Sequence, residues 1–159
     1  SGTVDPGVLF FLGKQGYTLE QLDKMLNKES GFQGLTGAFG GDTRDVVAKS
    51  AKGEIDAVEA LEAFGHRAAL FVGGYNTLIG GADAIVMAGG IGENAADLRE
   101  QIIERLGALG VKLDKKANKT ICGGKSGVIT TKDSKIPVVV IPTNEELMIA
   151  RETVQVLSK

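Results

Sequence analysis

The chain has 159 residues, 43 % apolar and 24 % charged, with a net charge of −2. That balance suits one globular domain with a real core. It disfavours nucleic acid and membrane surfaces: no Lys/Arg run is present, no apolar stretch approaches spanning length, and Ser1-Gly2-Thr3-Val4-Asp5-Pro6 lacks the pattern of a signal peptide. The lone Cys122 can close neither an internal disulfide nor a zinc cluster, so a reducing cytoplasm is the expected compartment. The missing initiator Met suggests a fragment or a processed product.

Asp5-Pro6 predicts a helix start, with Asp5 as N-cap and Pro6 at the first helical position. That helix stops near Gly16. Thr18 and Gln21 then form a capping box for a helix whose apolar face is Leu19, Leu22, Met25 and Leu26. Residues 31–44, rich in glycine, read as a long loop with room for a short strand, and loops of this length are often functional. A helix is expected over 45–51 and a longer one over 54–79. In the longer one Ile55, Val58, Leu61, Phe64, Ala68, Phe71, Tyr75 and Leu78 recur at helical steps. Gly73-Gly74 weakens it by about 1 kcal/mol per glycine, or admits a close neighbour.

The run Ala84-Ile85-Val86-Met87-Ala88 predicts a buried parallel strand. A glycine loop over 89–94 and a helix over 95–106 follow, the helix with Leu98, Ile102, Ile103 and Leu106 on one face, and Arg99, Glu100 and Arg105 belonging to an ordinary helix face. Strands are expected at 111–113 and 128–131 with a polar connection over 115–127, and a second buried strand at 137–141. Thr143 and Glu146 predict another capping box, opening a last helix with Leu147, Ala150, Val154 and Leu157 on its apolar face. Alternating strands and helices define an α/β fold, in which ligands bind beyond the carboxyl ends of strands. The turns at 89–94 and 142–146 therefore carry most interest.

Gly90-Ile91-Gly92-Glu93-Asn94-Ala95 also satisfies the dinucleotide pattern, with Asp114 placed where a ribose-binding acid belongs. The alternatives are a nucleotide site of another kind and a plain tight turn. Glu93 would repel a pyrophosphate and better suits a sugar or a base. Glu145, beyond a strand end, could hold Mg²⁺ or simply favour the helix dipole. Arg44 could stack on an adenine or pair with phosphate, while Asp42 or Thr43 could cap the next helix. His66 and Cys122 read as structural, Cys122 having no visible cationic partner.

Taken together, the Gly-Gly-Ile-Gly-Glu-Asn turn, Asp42-Thr43-Arg44-Asp45 and Ile141-Pro142-Thr143-Asn144-Glu145-Glu146 resemble acetate kinases in order and spacing. Val4-Asp5-Pro6-Gly7, the 25–31 segment and Leu35-Thr36-Gly37 extend the resemblance over essentially the whole chain, and propionate and butyrate kinases share much of it. The resemblance implies an actin-like, sugar-kinase-like (ribonuclease H-like) fold, with residues 1–159 as a single C-terminal nucleotide-binding domain. It implies that Asp42, Thr43 and Arg44 line an adenosine pocket, that Gly90, Ile91, Gly92, Glu93 and Asn94 bind nucleotide, and that Glu145 is a Mg²⁺ site. It further implies reversible phosphoryl transfer between ATP and acetate, giving acetyl phosphate and ADP, by a homodimer. No catalytic residue of the family maps here. Ser1-Gly2 resembles the segment just past a catalytic Arg, and Thr3 replaces the usual Asp. Little or no kinase activity is expected of these residues alone.

Overall fold

The computed structural model describes residues 2–37 and 41–158. Positions 38–40 of the expected long loop, and Ser1, lie outside the described residues. The chain divides into two compact units, Ser1–Phe64 and Gly65–Lys159.

The first unit is helical. Helix α1 (Pro6–Lys14) starts as its sequence dictates: Asp5 Oδ1 accepts the Gly7 N–H at 2.7 Å, and Pro6 occupies a position whose N–H would find no partner. Helix α2 (Leu19–Asn27) has the complete capping box, with Thr18 and Gln21 each accepting the other's backbone N–H. Part of the expected loop is instead a short helix, α3 (Phe32–Thr36), whose Phe32 ring stacks at 5.5 Å on Phe64. Helix α4 (Thr43–Ser50) begins two residues before its expected start because Asp42 caps it. Leu22, Val46, Ala57, Ala60 and Leu61 are buried here.

Helix α5 (Ile55–Leu78) matches its predicted span, and its apolar stripe is only partly covered. Ala57, Ala60 and Leu61 are buried, whereas Ile55, Leu70, Phe71, Tyr75 and Leu78 are exposed. Helical periodicity locates an apolar stripe without saying what covers it.

The second unit holds a three-stranded sheet in the order β1-β3-β2. Strands β1 (Ile85–Met87) and β3 (Val138–Val140) are parallel, with Val86 opposite Val139, and β2 (Gly127–Val128) runs antiparallel to β3. The expected strands near 111–113 and 128–131 shrink to β2 and one bridge, Leu113 to Thr130. Asp114 turns the chain into helix α8 (Lys115–Thr120), where a polar connection was expected. Nor is β1 buried throughout, since Val86 is 55 % exposed.

Helix α7 (Ala96–Glu104) supplies Leu98, Ile102 and Ile103 to a core shared with Leu106, Val111, Ile129, Ile136, Val138 and Val140. The last helix, α9 (Glu145–Leu157), keeps Leu147, Val154 and Leu157 exposed. Among the described residues no helix is long and apolar enough to cross a membrane.

Candidate nucleotide and metal site

The expected glycine loop is a short helix, α6 (Gly89–Asn94). Its three glycines differ in what the fold demands of them. Gly89 has φ +69°, a conformation that side chains rarely adopt. Gly92 is buried, and a Cβ there would lie 2.9 Å from the Met87 carbonyl carbon. That contact seats α6 directly on the end of β1. Gly90 has no such demand: its φ is not positive, it is exposed, and a Cβ would meet nothing within 4 Å. Ile91 is half-buried beside it.

The side chains that follow are engaged within the protein. Glu93 Oε1 accepts the Thr143 N–H at 2.8 Å and the Thr143 hydroxyl at 2.9 Å. The Thr143 N–H, then its hydroxyl and the Gly89 N–H, hold the Glu93 carboxyl below its ordinary range. Asn94 accepts the Gly123 N–H at 3.0 Å and donates to the Gly90 carbonyl at 3.2 Å. The anticipated box between Thr143 and Glu146 does not form. Asn144 is the N-cap of α9, accepting the Leu147 N–H at 3.0 Å, because Thr143 is committed to Glu93.

Glu145 is the first residue of α9 and is exposed, two positions beyond the Thr143 contact. The structure thus places α6 and the approach to Glu145 side by side. Mg²⁺ is commonly held by one or two carboxylates together with substrate phosphates and waters. A single exposed carboxylate suits that donor set. No cluster of three or more His, Cys, Asp or Glu side chains that could hold a metal occurs among the described residues.

Asp42, Thr43 and Arg44 lie in the other unit. Asp42 caps α4 through the Arg44 N–H at 2.8 Å and also grips the Arg44 guanidinium, with Nη2 to Oδ2 at 2.7 Å. The Arg44 side chain and then its backbone N–H draw the Asp42 carboxyl down to about 2. Arg44 itself stays 90 % exposed in its side chain, so the plane of its guanidinium is open.

Arg99 departs from the ordinary helix face expected of it. It is fully buried, and its charge meets oxygen atoms. Nη1 donates to the Gly92 and Glu93 carbonyls at 2.8 and 2.9 Å, and Nη2 to the Asn118 and Ile121 carbonyls at 2.6 and 2.8 Å. Nε donates to the Asn118 side chain at 2.8 Å, and that side chain donates to Ala96. The guanidinium therefore satisfies carbonyls at the ends of both α6 and α8, where helices leave acceptors unpaired. The spacing held the signal: Leu98, Arg99, Ile102, Ile103 and Leu106 form one continuous stripe. Cys122, expected to have no cationic partner, lies 3.4 Å from Arg99 Nη2. Asp114, the would-be ribose acid, is a helix cap that accepts the Lys116 and Ala117 N–H groups at 3.0 and 2.9 Å.

A parallel strand pair whose carboxyl ends lead into a glycine-rich helix and an acidic helix start defines an α/β domain, a class in which ligands bind beyond the strand ends. The profile of the acetokinase family matches residues 1–151, and the chain belongs to that family. It is 45 % identical over 157 residues to the acetate kinase of Halothermothrix orenii, covering 98 % of this chain and 39 % of that protein. The crystal structure of Porphyromonas gingivalis acetate kinase superposes with a TM-score of 0.87 at 37 % identity, covering 99 % of this chain and 39 % of that one. A propionate kinase from Francisella tularensis gives 0.86 at 40 % identity, with 96 % and 38 % covered. The chain thus spans about two fifths of the length of these relatives. Family membership and the capping role of Asp114 set the dinucleotide reading aside.

Proposed function

We propose that this chain is the C-terminal, nucleotide-binding part of an acetate kinase with the actin-like, sugar-kinase-like fold. It serves reversible phosphoryl transfer from ATP to acetate, giving acetyl phosphate and ADP. The backbone of Gly90, Ile91, Gly92, Glu93 and Asn94 forms the nucleotide-binding wall, the Glu93 side chain being committed to Thr143, and Asp42, Thr43 and Arg44 contribute to adenosine binding through the open face of the guanidinium. Glu145 holds Mg²⁺ together with phosphates and water. When bound, that ion would neutralise phosphate charge during transfer. The residues here bind and orient, and the groups that act on the acid lie outside them. Propionate or butyrate as the acid is the alternative within the same family, supported by the likeness to a propionate kinase.

The observation that carries this reading is Gly90. Neither backbone conformation nor packing requires a glycine there, and the position is open. A glycine without an internal reason fits the close approach of a ligand to backbone. Gly90→Val tests it. Valine is the better helix former by a few tenths of a kcal/mol, so folding should be unharmed. Calorimetric titration with ADP and Mg²⁺ should show affinity reduced by about tenfold, or ~1.4 kcal/mol. Unchanged affinity in the variant, or no binding by the parent protein, would refute the assignment.

Exposed Leu70, Phe71, Tyr75 and Leu78 on α5 support homodimer formation, and sedimentation velocity giving only monomer would count against it.

A further inference from the structure

A carboxylate at the end of a nucleotide-binding stretch invites assignment as a ribose or base ligand. Glu93 has other partners. Its Oε1 already accepts two hydrogen bonds from Thr143, fifty residues away in sequence, and the Gly89 N–H also acts on it. Parallel pairing aligns the two strand ends, and the Ile141 N–H to the Met87 carbonyl at 3.0 Å is the sheet's last bond on this side. Beyond it residues 141–144 have no regular structure. The Glu93–Thr143 contact carries the alignment onward to Asn144, the cap of α9, and to Glu145, its first residue. At the other side, the Glu93 carbonyl is held by the buried Arg99 at 2.9 Å, so the backbone that bears the carboxylate is itself fixed.

We propose that Glu93 is a positioning residue, latching α6 to the start of α9 so that the nucleotide-binding stretch and the Mg²⁺-binding Glu145 are set against one ligand. This rests on the nucleotide reading above. Groups that orient a metal ligand through a hydrogen bond typically change metal affinity by about 10–100-fold when removed. The latch should therefore govern the metal-dependent part of nucleotide binding and leave the metal-free part alone.

The test is calorimetric titration of ADP with and without Mg²⁺. Glu93→Ala should lower affinity about tenfold in Mg²⁺ and less than about twofold in its absence. Glu93→Gln keeps an oxygen that can accept both Thr143 bonds, and should stay within about threefold of the parent protein. Thr143→Val removes only the hydroxyl and should act in the same direction as Glu93→Ala but more weakly. The double variant should match Glu93→Ala alone, because the two changes break one interaction. Equal losses with and without Mg²⁺, additive effects in the double variant, or no effect of Glu93→Ala would each overturn the proposal while leaving the nucleotide reading intact. A parent protein that binds no ADP would overturn both.

Discussion

Replacing Arg99 by Met tests the most heavily bonded side chain in the second unit. Methionine keeps the apolar stem and a comparable helix propensity, so the change removes donors rather than volume or helicity. Arg99 is fully buried and donates to four carbonyls and one side-chain amide oxygen. Without it the buried Gly92 carbonyl and the Asn118 side-chain oxygen lose the donors it supplies. An orphaned buried acceptor costs about 1–3 kcal/mol. Losing the desolvation cost of the guanidinium offsets part of the sum, and removal of one partner from a buried charged network typically costs about 3–5 kcal/mol net. Against a total stability of about 5–15 kcal/mol, that is a large share. In a protein of this size each kcal/mol moves the thermal midpoint by about 2–4 °C, so a fall of about 6–20 °C is expected. Urea unfolding followed by circular dichroism should report the same loss with an unchanged m-value. Arg99→Lys should recover only part of it, since one ammonium cannot span the ends of both helices. A loss below about 1 kcal/mol for Arg99→Met would refute the idea that this network holds α6 and α8 in place.

Gly92→Ala should destabilise by about 1–3 kcal/mol, because its Cβ would press on backbone atoms of Met87 that cannot rotate away. Chemical denaturation checks this, and a neutral result would mean that α6 can lift from the strand end. The Asp42 carboxyl, depressed to about 2 from 3.8, should stay ionised down to that pH. Its contribution to capping α4 is therefore complete above about pH 4 and is lost as pH falls through about 2. Carboxyl-carbon NMR titration should place the midpoint near 2 and find it raised in Arg44→Ala. A midpoint at 3.8 in the parent protein would refute the pairing.

Local rules with one physical cause were legible in the sequence. The caps at Asp5 and Thr18 depend on neighbours within three residues, and both form as expected. The parallel pairing of the two apolar runs followed from their composition. Competition was harder to read. Thr143 had two possible partners, Glu146 nearby and Glu93 far away, and only tertiary packing decides between them. The charge of Arg99 points to solvent, whereas its spacing puts it on the inner stripe, and the carbonyls waiting there are supplied by distant residues. Glycine disfavours helix by about 1 kcal/mol each, so the sequence of 89–94 points to a loop, but packing on β1 overrides that cost. The roles assigned to Asp42, Thr43, Arg44 and Glu145 came from motif resemblance, and nothing local in their chemistry distinguishes a ligand from a cap.

Helices α6 and α8 are six residues each, well short of the ~12–15 at which an isolated helix becomes even marginal in water. Their order is borrowed from a common guanidinium, so they should melt as one cooperative unit. The proposed binding wall is then a conditional structure whose population depends on packing in α7. A substitution inside that helix, remote from any ligand, would weaken apparent nucleotide affinity by emptying the competent state. Loss of affinity in this region therefore identifies a contact residue only when amide exchange across both helices is unchanged.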